Sequence, residues 1–185
     1  MSITVQKKLR GVFLNAFVSI VSLMFALNIS YATWTYTPVD WENGQITQDD
    51  WVLNVWSYGG APTLTITGVP SVGASGILHL EDEISDDKVI VAIGGYAFDQ
   101  KSSIVKVYLP ASGLKRIGDR AFNGCIGLVL IDPFLPDSVE FIDEWAFANT
   151  PSLTIPLVLK NQNLEVLPNS SFRSSGITSV DMSSS

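Results

Sequence analysis

A single histidine and a single cysteine narrow the chemistry open to this chain. His79 lies between Leu78 and Leu80, so in a strand of period two it points away from the side that the two leucines bury. Any Ser–His–Asp triad would have to recruit it, yet no serine stands in a G-x-S-x-G elbow or comparable frame. A surface histidine without a special role is the plainer reading. Asp99, Asp119 and Asp143 have no histidine cluster beside them that would make a metal or acid–base centre. Glu81-Asp82-Glu83 and Asp86-Asp87 crowd carboxylates of the kind hard cations need. They do not match the D-x-[DN]-x-[DN]-G loop, and a solvated acidic turn explains them more simply. Cys125 cannot form an internal disulfide or a cysteine zinc site alone. No cationic neighbour is adjacent to activate it, so it reads as a small, half-buried corner residue. No catalytic, metal or cofactor site is expected, and the chain is not read as an enzyme.

The remaining side chains with binding chemistry are aromatic. Trp34, Tyr36, Trp41, Trp51, Trp56 and Tyr58 fall within 25 positions. Exposed rings of this kind stack on sugars and anchor interfaces. Aromatics also supply much of the buried area of a small core, and that is the favoured reading here.

The elements that must position these residues begin after a leader. Lys7, Lys8 and Arg10 precede the apolar run from Gly11 to Ile29, and Ser30-Tyr31-Ala32 places small residues at −3 and −1 of a cleavage site before Thr33. That order describes a secretory signal peptide over residues 1–32. The competing reading is a retained anchor, because the run approaches the roughly 20 residues that span a bilayer. Cleavage is the reading adopted, with no stable membrane span afterwards and an extracytoplasmic destination. Beyond residue 32 stand eight basic and 18 acidic side chains, a formal charge of −10. Such a surface repels phosphate backbones and anionic lipid, which argues against nucleic-acid binding.

A repeat dominates the second half of the chain. Phe98, Phe122, Phe147 and Phe172 are spaced 24, 25 and 25 residues apart. Five positions earlier stand Ile93, Ile117, Ile142 and Leu167, and three before those Ile90, Leu114, Val139 and Leu164. Ala97, Ala121, Ala146 and Ser171 keep the residue before each phenylalanine small. A unit this short cannot bury its own apolar face, so neighbours must stack into one continuous core. Ile104-x-x-Val107-x-Leu109 and Ile177-x-x-Val180-x-Met182 read as L-x-x-L-x-L strands, with Pro110 and Pro136 ending the pairing in their units.

The strings IGGYAF, IGDRAF and IDEWAF, with FNGC and a proline after the strand, resemble the BspA-type leucine-rich repeat over roughly residues 63–182. The resemblance implies a mostly β, right-handed solenoid of the α/β class. Short parallel strands would line its concave side, and irregular turns or short 3₁₀ segments its convex side. It also implies an extracellular or cell-surface protein that binds other proteins or matrix. Three departures predict local bulges: Leu167-Pro168, Asp132-Pro133-Phe134 and the strand proline Pro156.

Residues 33–90 are read as a β-rich cap leading into the first repeat, and 91–185 as about four units, the last incomplete. Trp51–Trp56 alternates as a hairpin strand does, and Leu64-x-Ile66 and Leu78-x-Leu80 look like two further strands. The end at Ser185 comes directly after a strand, which suggests a fragment of a longer array or a last coil that frays or docks. Two functions fit this organisation. The first is protein binding, in adhesion or at a matrix or host surface, through the outward concave positions Lys106, Tyr108, Asp132, Ser179 and Asp181. The second is carbohydrate binding through the aromatic cap residues Trp34, Trp41, Trp51 and Trp56.

Overall fold

A computed structural model describes residues 33–58, 61–73, 75–158, 164 and 166–181. The leader reading falls outside these residues, as does Met182 of the last strand motif. The described part belongs to one compact unit that begins at Thr33. It is built almost wholly from strands and turns, with no α-helix among the described residues. None of it forms a helix long and apolar enough to cross a membrane.

Four strands make an antiparallel meander: β1 (Thr35–Pro38), β2 (Asn43–Gln48), β3 (Trp51–Trp56) and β4 (Thr63–Ser71). Alternation decides their faces. In β3, Trp51, Leu53 and Val55 are buried while Val52 and Asn54 are half-buried on the other side. From β4 onward pairing turns parallel, through β6 (Val89–Ile93), β8 (Arg116–Ile117) and β10 (Phe141–Ile142). These seven form one sheet in the order β1-β2-β3-β4-β6-β8-β10. A second, three-stranded parallel sheet holds β5 (Ile77–His79), β7 (Lys106–Tyr108) and β9 (Leu130–Asp132). Each of these units therefore places one short strand in each sheet, with hydrogen-bonded turns over residues 95–100, 119–124 and 144–149. The implied irregular side thus carries its own ladder. Arg116-Ile117 and Phe141-Ile142 pair because the isoleucine column holds successive backbones in register.

Between the sheets runs the repeat core. Ile90, Leu114 and Val139 are buried, as are Ile93, Ile117 and Ile142, and Ile104, Leu128 and Leu153. Phe98, Phe122 and Phe147 are fully buried, and Phe172 partly so. Their rings stack in order at centroid distances of 4.9, 5.4 and 5.3 Å, within 5° of parallel. Coil-to-coil backbone bonds fix that spacing: Phe98 N–H donates to Ala121 O, Phe122 N–H to Ala146 O, and Phe147 N–H to Ser171 O, each at 2.8 Å.

The irregular third unit changes the strand face. Asp132-Pro133 is a cis peptide, and Phe134 turns inward, its ring 5.5 Å from that of Phe147 and 6.0 Å from that of Phe172. After Pro156 the next strand is β11 (Leu157–Val158), which pairs with β12 (Val180–Asp181) in a separate two-stranded sheet. The bulges expected at Asp132–Phe134 and Pro156 thus amount to a break in the ladder between β9 and β11. A proline supplies no N–H to bridge it.

Candidate functional site

The outward residues of β5, β7 and β9 form two cross-strand rows. Register aligns Ile77, Lys106 and Leu130 in one, and His79, Tyr108 and Asp132 in the next. Leu78, Val107 and Ile131, between them in sequence, are all buried. His79 therefore points outward, as its flanking leucines dictate, but it is not isolated. Its ring stacks on Tyr108 of the next coil at 4.8 Å and 11°, and its Nδ1 lies 2.8 Å from Glu81 Oε1. The stack depends on two coils being in register, which no local motif around His79 could reveal. Asp132 is exposed at the far end of the row.

Ser179 and Asp181 lie elsewhere. Asp181 belongs to β12 and Ser179 is exposed just before that strand, so both sit with the two-stranded sheet and not in the rows of β5, β7 and β9. The five sequence-derived candidates thus divide into a group of three and a group of two.

The tryptophans divide as well. Trp34 is fully buried, and its indole Nε1–H donates to His79 O at 2.8 Å, closing the outer edge of β5. Trp51 is buried against the core. Only Trp41, 71% exposed in the β1–β2 turn, and Trp56, paired edge-on with Tyr58 at 6.3 Å, present rings to solvent. Two of the four are therefore core residues and offer no ring to a sugar.

On the other side, Tyr96, Arg120 and Trp145, which share one column of the repeat with Ser170, make a second ladder, with Trp145 half-buried. Arg120 lies between the rings of Tyr96 and Trp145, 5.5 and 5.6 Å from their centroids, and Arg173 covers Trp145 at 5.2 Å. Tyr96, Arg120 and Trp145 all adopt positive φ, between 52° and 60°. Bulky residues rarely accept this conformation, so the column escapes turn statistics. Arg120 and Arg173 both approach the Trp145 ring, whereas Tyr96 meets Arg120 alone and stays 55% exposed.

Cys125 is fully buried, a correction to the half-buried corner, and its Sγ–H donates to Phe98 O at 3.0 Å. Burial pushes its thiol up from about 9 to about 12. At pH 8 the folded chain then holds about a thousandfold less thiolate than the unfolded one. A thiol reagent is expected to leave Cys125 unmodified in the native protein and to react on unfolding; rapid native labelling at pH 8 would contradict this burial. Because the folded value is the raised one, the associated stability is complete below about pH 9 and is lost as pH climbs through about 12. Among the described residues no group of three or more His, Cys, Asp or Glu side chains is arranged to hold a metal ion.

The family model described as "BspA type Leucine rich repeat region (6 copies)" matches residues 91–185. The chain belongs to the BspA-type leucine-rich-repeat family. The match spans β7 to β12 and the whole phenylalanine column. Two solved structures of leucine-rich-repeat proteins are similar to it. The one from Bacteroides capillosus is 23% identical, covering 75% of this chain and 98% of that one, with a TM-score of 0.60. The T. pallidum Leucine Rich Repeat protein is 25% identical, covering 78% of this chain and 70% of that one, with a TM-score of 0.49. The first likeness carries the fold. No curated protein matches the chain at a significant level. In this member the parallel strands β5, β7 and β9 carry the His79–Tyr108–Asp132 row.

Proposed function

We propose that this member is a non-catalytic, secreted or cell-surface module that binds a protein partner, in adhesion or at a matrix or host surface. The open face of β5, β7 and β9 is the surface that makes the contact. The observation that carries this reading is the preorganised outward row, in which His79 and Tyr108 are already stacked and Asp132 and Lys106 flank them. Rings held in place before binding lose little freedom when a partner covers them, which is how aromatic anchors contribute affinity. Repeat arrays offer long faces of this kind for extended contacts. The leader read from the sequence of residues 1–32 supports an extracytoplasmic location.

The experiment is surface plasmon resonance of the immobilised chain against a panel of purified matrix and host-surface proteins. Lys106→Glu combined with Tyr108→Ala is expected to weaken any binding seen by about tenfold or more. Unchanged binding would remove the face from the account. A carbohydrate reading draws support only from exposed Trp41 and the Trp56–Tyr58 pair. A glycan array run on the same chain tests it, and signal lost in Trp41→Ala would favour it.

A further inference from the structure

The strand face is electrically uneven, and its acidic end opens into a cavity. Lys106 lies in the first row; His79, Tyr108 and Asp132 lie in the second, and beyond them come Glu81 and Pro110. Glu81 continues the outward side of β5, since it reaches His79 Nδ1. Glu81 and Pro110 both line a cavity of about 380 Å³, together with Leu80, Glu83, Asp87 and Ile90. That volume lies near the lower end of the roughly 300–1,000 Å³ of small-ligand sites. Leu80 and Ile90 are buried and give an apolar floor, while Glu81, Glu83 and Asp87 are exposed at the rim.

The rim carboxylates differ in how far they are engaged. Glu81 faces His79, and neighbouring Asp82 accepts a hydrogen bond from Gln48 Nε2 at 2.8 Å. Among the described residues the side chains of Glu83 and Asp87 have no ion-pair partner. Lys88, the one Lys or Arg among the described residues that line the cavity, has its Nζ on Ala61 O at 3.0 Å and over the Tyr36 ring at 4.9 Å.

We infer that this end of the face accepts an arginine side chain of the protein partner. The inference rests on the binding role proposed for the face and specifies the partner's chemistry. An apolar floor suits the methylene stem of a long basic side chain, and rim carboxylates suit its charged head. Arginine fits better than lysine because its planar fork spans two carboxylates and stacks against rings such as His79, which the cavity residue Glu81 reaches. The excess of 18 acidic over eight basic side chains beyond residue 32 draws a basic partner toward the molecule from a distance.

The probes are three peptides of equal length alternating glycine with arginine, lysine or glutamate, titrated calorimetrically into the full chain. The arginine peptide is expected to bind most tightly, the lysine peptide more weakly, and the glutamate peptide not at all. Glu83→Gln with Asp87→Asn should weaken the arginine peptide by about tenfold. Glu42→Gln with Asp49→Asn removes the same charge elsewhere and should leave it unchanged. Circular dichroism of both variants, matching the parent, establishes that neither change disturbs the fold. No binding of the arginine peptide, or equal weakening by both variants, would overturn the inference. On the protein panel, partner binding lost with Lys106→Glu and Tyr108→Ala but kept with Glu83→Gln and Asp87→Asn leaves the face standing and removes the arginine site.

Discussion

Replacing Phe122 by alanine is expected to lower the unfolding free energy by about 4 kcal/mol, the range found for buried phenylalanines. The ring is fully buried and has a parallel ring on each side, at 4.9 and 5.4 Å. Its removal leaves a void between two coils whose separation is held by backbone hydrogen bonds, so the neighbours cannot collapse into it. A domain of this size has a total stability of roughly 5–15 kcal/mol, so the loss is a large fraction of it. Phe172→Ala should cost less, about 1–2 kcal/mol, because that ring is only partly buried. Urea unfolding monitored by tryptophan fluorescence measures both. Equal costs at the two positions would mean that the column is not graded by burial.

Gly127→Ala is expected to cost about 3 kcal/mol, at the upper end of overpacking. A Cβ there would stand 2.3 Å from Ser102 O and 3.2 Å from Ile104 O, both backbone atoms of the preceding coil. No side chain can rotate away, so the coils must separate and give up hydrogen bonds. Gly176, in front of Ile177 as Gly127 is in front of Leu128, would meet Pro151 O at the same 2.3 Å. Gly95→Ala provides the contrast, since its nearest atom would be 3.4 Å away, an ordinary contact. Thermal unfolding of the two variants should show a markedly lower midpoint for Gly127→Ala only. A harmless Gly127→Ala would show that the coils are not in the contact described.

Both predictions concern columns, and columns were what the chain's residues made legible. Spacings of 24 and 25 repeated by phenylalanine, isoleucine and alanine cannot be accommodated except by stacking, and the rings do stack. The outward direction of His79 and Tyr108 was also legible, because period two in a strand is set by backbone geometry. Their contact was not, since it depends on the register between β5 and β7, which are separated by 26 residues of intervening chain. The ladder of β8 and β10 was hidden for another reason: two-residue strands leave no alternation to detect. The Tyr96–Arg120–Trp145 column follows from the same spacing, but its positive φ does not, because turn statistics place such residue types outside that region. Trp34 and Trp41 look alike in sequence, yet one is sealed beneath β5 and the other stands in a turn. Spacing alone does not separate them.

The stacking of coils is tested most directly by a double-mutant cycle across the column. Phe98→Leu and Phe122→Leu remove two rings in contact at 4.9 Å, whereas Phe98 and Phe172 are separated by two intervening rings. The adjacent pair is predicted to couple by about 0.5–1.5 kcal/mol, the worth of an aromatic pair beyond its buried area. The distant pair should be additive within about 0.5 kcal/mol. Additive costs for Phe98 and Phe122 would contradict the stacked column, and with it the solenoid core on which the binding face is built.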